Sequence, residues 1–234
     1  MQEGRKGRII AAARRLAIAG LATLGLSMTM SATMPDHAEA KELRQAAQQG
    51  DTAAVTQLLA SGSAIDARDE AGQTALLLAV AGNHVAIAKV LMEAGADINA
   101  QAANKDTPWL LAGARGRAEI IALMLPRKPD LSIRNRFGGD ALIPACERGH
   151  VEAARLLVTS GIDVNHVNNL GWTCLLEIVI LGDGGPRHRE VTRLVLAAGA
   201  NANIADKDGV TPLAHARRKG QDEIARMIEA AGGR

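Results

Sequence analysis

Glycines recur at a fixed distance along this chain. Gly50, Gly116 and Gly149 lie on a 33-residue grid, with Asn83 at the missing point and Gly182 continuing it; Gly220 then follows 38 residues later. A second series runs through Gly62, Gly95 and Gly161, then reaches Gly199 after 38 and Gly232 after 33. Both series slip by five between the same two points, so a single insertion interrupts one repeat. A period of this size requires a stacked array, because one unit holds too little apolar surface to fold alone and must bury its faces against its neighbours. The aromatic content agrees. Phe137, Trp109 and Trp172 are the only aromatics in 234 residues, so Ala, Leu, Ile and Val must fill the interior, which suits thin layers.

The units share wording. One reads Asp69-Glu70-Ala71-Gly72-Gln73-Thr74-Ala75-Leu76, with Ala79 following and Gly95-Ala96-Asp97-Ile98-Asn99 at its end; the last begins Asp206-Lys207-Asp208-Gly209-Val210-Thr211-Pro212-Leu213. This wording resembles the ankyrin repeat family over nearly all of residues 41–234. The resemblance implies an all-α solenoid of about six helix-turn-helix units, near 41–68, 69–101, 102–134, 135–167, 168–205 (with the insertion) and 206–234. Helix pairs are predicted at 41–49 and 52–60, 75–82 and 85–93, 108–115 and 118–125, 141–148 and 151–159, 174–181 and 189–197, and 212–219 and 222–231. Thr74 can cap a first helix. Asn83 stands where a left-handed residue should end it. Two departures from the family pattern stand out. The usual His after the Thr-Pro-Leu trio is replaced by Leu77, Leu110, Ile143, Leu176 and Ala214. Lys128 takes a glycine position between Pro126 and Pro129, which predicts an early end, near Leu125, for that unit's second helix. Trp109 reads as interior filling.

Residues 1–40 follow a different logic. Arg5, Lys6, Arg8, Arg14 and Arg15 precede an uncharged stretch, Leu16 to Met30, and a small-x-small end at Ala38-Glu39-Ala40. That order is a bacterial-type secretory signal peptide, with cleavage expected after Ala40 and a periplasmic or secreted product. The alternative is an uncleaved anchor, since Leu16 to Met34 could just cross a bilayer. The segment holds five of the 27 Lys/Arg and three of the 25 Asp/Glu, so the remainder carries 22 of each. That balance argues against nucleic-acid binding. No membrane span is expected in the mature chain, which is read as a monomer.

No catalytic, cofactor or metal site is predicted: there is no nucleophile elbow, phosphate loop or His-Glu-x-x-His motif. His84 and His150 occupy equivalent positions just after a first helix and read as turn hydrogen-bonders. His188 reads as part of a mobile loop formed by the insertion, Asp183 to His188. Cys146 and Cys174 differ by five residues in repeat register, about 7.5 Å of helix rise, across units about 10 Å apart. Together these give about 12 Å between Cα atoms, beyond bridging reach, and predict two free thiols.

The family resemblance implies a protein-interaction module whose contacts come from loop tips and from the residues before each first-helix stop. Mapped here, these give Arg115, Arg136, Phe137, Arg148, Leu170, Trp172, Ile180, Leu181, Arg218 and Lys219. An apolar centre with a basic rim suits an acidic protein partner. The alternative reading is an accessory subunit, or an enzyme with unrecognised chemistry.

Overall fold

The computed structural model describes residues 36–234. Among these residues twelve α-helices fall in six antiparallel pairs: α1 (Asp36–Gln49) with α2 (Thr52–Ala60), α3 (Ala75–Gly82) with α4 (Val85–Glu93), α5 (Pro108–Ala114) with α6 (Ala118–Met124), α7 (Leu142–Glu147) with α8 (Val151–Leu157), α9 (Cys174–Leu181) with α10 (Pro186–Ala197), and α11 (Pro212–Arg218) with α12 (Asp222–Ala230). Among the described residues there is no β-strand. The first helices stack in one row and the second helices in another, and one continuous apolar core runs between them from Leu43 to Ile228. Trp109 is buried in that core.

Local chemistry sets the element boundaries. The hydroxyls of Thr74, Thr107, Thr173 and Thr211 accept from the backbone N–H three residues on and start α3, α5, α9 and α11. In the fourth unit the buried carboxylate of Asp140 does this work, accepting from Leu142 and Ile143. Asn83 ends α3 at φ 60°, and Lys128 adopts φ 52° after a 3-10 turn at Leu125–Arg127, so the second helix of unit three does end early. α1 begins earlier than the sequence pattern indicates, at Asp36 rather than 41, and the expected cleavage point after Ala40 falls inside it, where Ala40 is buried. The rest of the expected leader lies outside the described residues.

Two expectations are overturned. The insertion is not a mobile loop. Pro186 opens α10, which at 12 residues is longer than the other second helices, and His188 is buried on its first turn. His188 shares a hydrogen bond between Nδ1 and Asp183 Oδ1 at 2.6 Å, and one between Nε2 and the carbonyl oxygen of Glu147 at 2.9 Å. It is the counterpart of His150, displaced by the 38-residue spacing. The same reach to the preceding unit recurs along the stack: His84 to the Gln48 carbonyl, Arg117 to Ala81, His150 to Ala114 and Gln221 to Gly182. These side chains satisfy carbonyls left unpaired at the first-helix ends.

The thiols are not free either. Cys146 and Cys174 form a buried disulfide, with Cα atoms 5.5 Å apart. The distance expected from sequence added rise and lateral spacing as if successive first helices ran level. In the stack these two helices are staggered, so the end of α7 lies against the start of α9. The preceding interface shows the same approach at the equivalent pair: a Cβ added at Gly113 would come within 2.3 Å of the Ala141 carbonyl oxygen. Gly113 is required by that contact, and its counterpart Cys146 fills the same place with a bond.

Candidate functional site

Between units four and five the stagger opens a groove on the first-helix side. Its walls are the loop tip at 135–139, the end of α7, the loop tip at 168–172 and the outer face of α9. The cavity is about 350 Å³ and its lining includes Phe137, Leu170, Leu181, Glu147, Arg148 and Glu177. A second hollow of about 330 Å³ continues it toward unit three and shares Arg136, Phe137, Glu147 and Arg148, adding Arg115 and Asp106. A larger hollow, about 680 Å³, lies near α1. It is framed mainly by long polar side chains such as Lys41, Arg44, Arg68 and Glu70, and no large exposed apolar residue borders it.

The loop tips are held in place by backbone bonds and by asparagine side chains. Asn135 N–H donates to the Gly139 carbonyl, Asn135 Oδ1 accepts from Phe137 and Gly139, and Asn169 N–H donates across to the Phe137 carbonyl at 2.9 Å. Asn168 repeats the pattern one unit on, accepting from Leu170 and Trp172. Phe137 and Leu170 are thus presented outward on braced turns. They are 51% and 48% exposed, and Leu181, at the end of α9, is 50% exposed.

The remaining residues picked out from sequence divide. Trp172 and Ile180 are half-buried and pack against the core, so neither stands free in the groove. Arg136 lies over the Phe137 ring, its guanidinium carbon 4.6 Å from the ring centre. Arg148 donates to the Ala114 carbonyl at 2.6 Å, which fixes it along the groove edge. Arg115 is exposed at the end of α5. Arg218 and Lys219 are exposed at the end of α11, where Lys219 Nζ donates to the carbonyls of Ile180 and Gly182.

Glu177 is the groove residue that sequence reasoning missed. It is 5% exposed, and its Oε1 accepts from Asn168 Nδ2 at 2.8 Å. Burial pushes its carboxyl up to about 7, with the charge of Glu147 adding to the effect and the Asn168 bond and Arg148 opposing it. Its register was legible: Asn168 and Glu177 stand 38 residues before Asp206 and His215, which make the same brace in the last unit at 2.7 Å. Burial likewise raises Asp106 in the adjoining hollow, against the pull of Arg136 and Arg115.

The profile of Ankyrin repeats (3 copies) matches residues 43–135 and 109–206. The chain belongs to the ankyrin repeat family. A curated relative, the putative ankyrin repeat protein YahD of Escherichia coli K12, is 46% identical over 71 residues, which is 30% of this chain and 35% of YahD. The match therefore spans about a third of that relative's length. Among solved structures, an ankyrin repeat domain from Acinetobacter baumannii AYE is 49% identical, with a TM-score of 0.79 over 82% of this chain and 98% of its own. The ankyrin repeat domain of Bcl-3, a member of the IkappaB protein family, is 27% identical with a TM-score of 0.73, over 82% and 86% of the two chains. The ankyrin repeat is a general protein-interaction scaffold, and this chain carries it from end to end of its described core.

Proposed function

We propose that this ankyrin protein is an exported, non-enzymatic binding module that grips an acidic segment of a partner protein in the groove of units four and five. The observation that carries the reading is the grouping of Phe137, Leu170 and Leu181. All three are about half exposed, and all line one cavity with arginines at its edge. Solvent disfavours such a cluster unless something covers it. Cations dominate the surrounding first-helix ends and loop tips: Arg115, Arg136, Arg148, Lys207, Arg218 and Lys219. An apolar anchor flanked by carboxylates meets both features. Export is supported by the basic-apolar-small order of the first forty residues and by the disulfide, a bond that persists in oxidising compartments.

The test is site-specific photocrosslinking in the native host. A benzophenone side chain at position 137 should trap a discrete acidic partner in the envelope fraction. The same group at position 93, on the exposed face of α4, should not. The Phe137→Ala/Leu170→Ala double variant should keep its helicity and lose at least ~2 kcal/mol of affinity, the scale of an interface hot spot. Crosslinks that ignore position, or normal binding by the double variant, would refute the assignment.

A further inference from the structure

Resting on that reading, we propose that Glu177 is a specificity residue of the groove: it docks in protonated form, donating a hydrogen bond to a carboxylate of the partner segment, so that binding in alkaline solution, where the free groove has lost that proton, takes one up from solvent.

The geometry leads there in steps. Glu177 sits at the groove floor and lines the same cavity as the apolar cluster. One carboxyl oxygen is already committed to Asn168, and the other has no hydrogen-bond partner among the described residues. No cation among the described residues forms an ion pair with it. Arg148, the guanidinium nearest in charge terms, is tied to the Ala114 carbonyl and lies 3.9 Å from Glu147. A second carboxylate, Glu147, is close enough to act on it. Two acids lining one narrow groove cannot both hold charge cheaply, and the more buried of the two keeps its proton. A protonated carboxyl has one O–H to give and is a strong donor to an ionised acceptor.

An acidic segment entering the groove meets Arg115 and Arg136 at the edge, neither of which makes a side-chain hydrogen bond within the described residues, and then the Glu177 O–H at the floor. Ionised Glu177 would repel that segment; protonated Glu177 would hold it. A basic segment would demand the opposite. It would bind the ionised form, and affinity would climb with pH. The sign of the pH dependence therefore identifies the charge of the partner.

Other titratable groups around α9 must be separated from this effect. Glu147 and Arg148 face Glu177 from α7. α11 brings His215, paired with Asp206, together with Arg217, Arg218 and Lys219. α10 brings His188, held between Asp183 and the Glu147 carbonyl, with Arg187 and Arg189 beside it. A charged histidine would also favour an acidic ligand, so the pH profile alone does not suffice. Glu177→Gln does separate them. The amide keeps an N–H donor toward the groove and an oxygen for Asn168 at every pH, while all histidines remain.

The experiment is panning of a phage-displayed random dodecapeptide library on the full chain at pH 6, with affinities of the selected peptides then measured by calorimetry at pH 6 and pH 8. Peptides pairing Leu, Ile or Phe with Asp or Glu should emerge. Their affinity should fall about tenfold by pH 8, following the loss of the Glu177 proton, with about one proton taken up per complex at pH 8. Glu177→Gln should flatten the profile. Peptides that bind Phe137→Ala/Leu170→Ala as well as wild type would defeat the docking site itself. Peptides that need Phe137 but show no pH dependence, or whose dependence survives in Glu177→Gln, would overturn only the role of Glu177. Selection of Lys- or Arg-rich peptides that tighten toward pH 8 would reverse the partner chemistry.

Discussion

Replacing Cys146 and Cys174 together by alanine removes a covalent bond between the end of α7 and the start of α9, directly beneath the groove. The bond closes a loop with a sequence separation of 28 residues. Chain-entropy arithmetic for a loop of that length gives about 3.5 kcal/mol of stabilisation at 25 °C. Little else should change in the local packing. The equivalent pair in the preceding interface is Gly113 and Ala141, so the stack already accommodates small residues there. An array of this length shifts in melting temperature by about 2–4 °C per kcal/mol, so the double variant should melt about 7–14 °C lower if the array unfolds as one. Loss of cooperativity is an equally clear sign, because the tether couples neighbouring units of a linear stack. The assay is urea and thermal unfolding followed by far-ultraviolet circular dichroism. Intact mass before and after denaturing reduction counts the two hydrogens gained. Folded protein should resist maleimide, since both residues are buried, and react after denaturation only when first reduced. A double variant that melts within a degree of wild type, or native protein that shows no mass change on reduction, would refute the reasoning.

Other consequences follow from single contacts. His188→Ala strands the Glu147 carbonyl at the groove wall and should cost about 1–3 kcal/mol in urea unfolding, the penalty for an unsatisfied buried group; an exposed flexible histidine would cost nothing. Gly113→Ala drives a methyl into the Ala141 carbonyl and should destabilise by about 1–3 kcal/mol, whereas Gly95→Ala meets no neighbour and is limited by its φ of 94° alone. Thr173→Ala removes the cap of α9 and should cost about 1 kcal/mol. Glu177, an acid raised from 4.5 to about 7 in the folded chain, binds more protons folded than unfolded between those values, so stability falls as pH rises through that window. The fall should approach about 2 kcal/mol between pH 5 and pH 8, after allowance for solvent screening, and Glu177→Gln should abolish it in urea midpoints measured at the two pH values.

The architecture was legible because the repeat is written in backbone requirements. A glycine or asparagine at a left-handed stop, and a threonine whose hydroxyl caps the next helix, each fix a boundary without reference to the rest of the fold. Helix ends therefore came out within a few residues, apart from α1, which extends back to Asp36, and α10, which starts early at Pro186. Side-chain partnerships were harder to read, because they depend on the stagger between units, which no single unit encodes. The Cys146–Cys174 distance failed for that reason. The clue lay one interface earlier, in the bare glycine at 113 opposite Ala141. His188 failed because Gly184, Gly185 and Pro186 read as a loop. Counting 38 residues from His150 places it on the recurring reach to the preceding unit's carbonyl.

The groove gathers three departures from the repeat. The insertion falls in unit five, the staple joins units four and five, and the exposed apolar cluster sits on their shared face. The reach of His188 to the Glu147 carbonyl links the insertion to the groove wall, and the disulfide fixes the helix ends that carry Glu147 and Glu177. An interface between stacked units is otherwise only as rigid as its packing. Here a covalent bond adds to the recurring side-chain reach and holds one junction at fixed spacing. Fixed spacing is what a preorganised binding groove needs, because it cuts the ordering cost that a partner must offset. The reinforcement at this junction is then part of the site. Weakening it should reach binding before it reaches the overall fold: the cysteine-free chain should lose affinity for a groove-selected peptide at temperatures where its circular dichroism is still that of the native array.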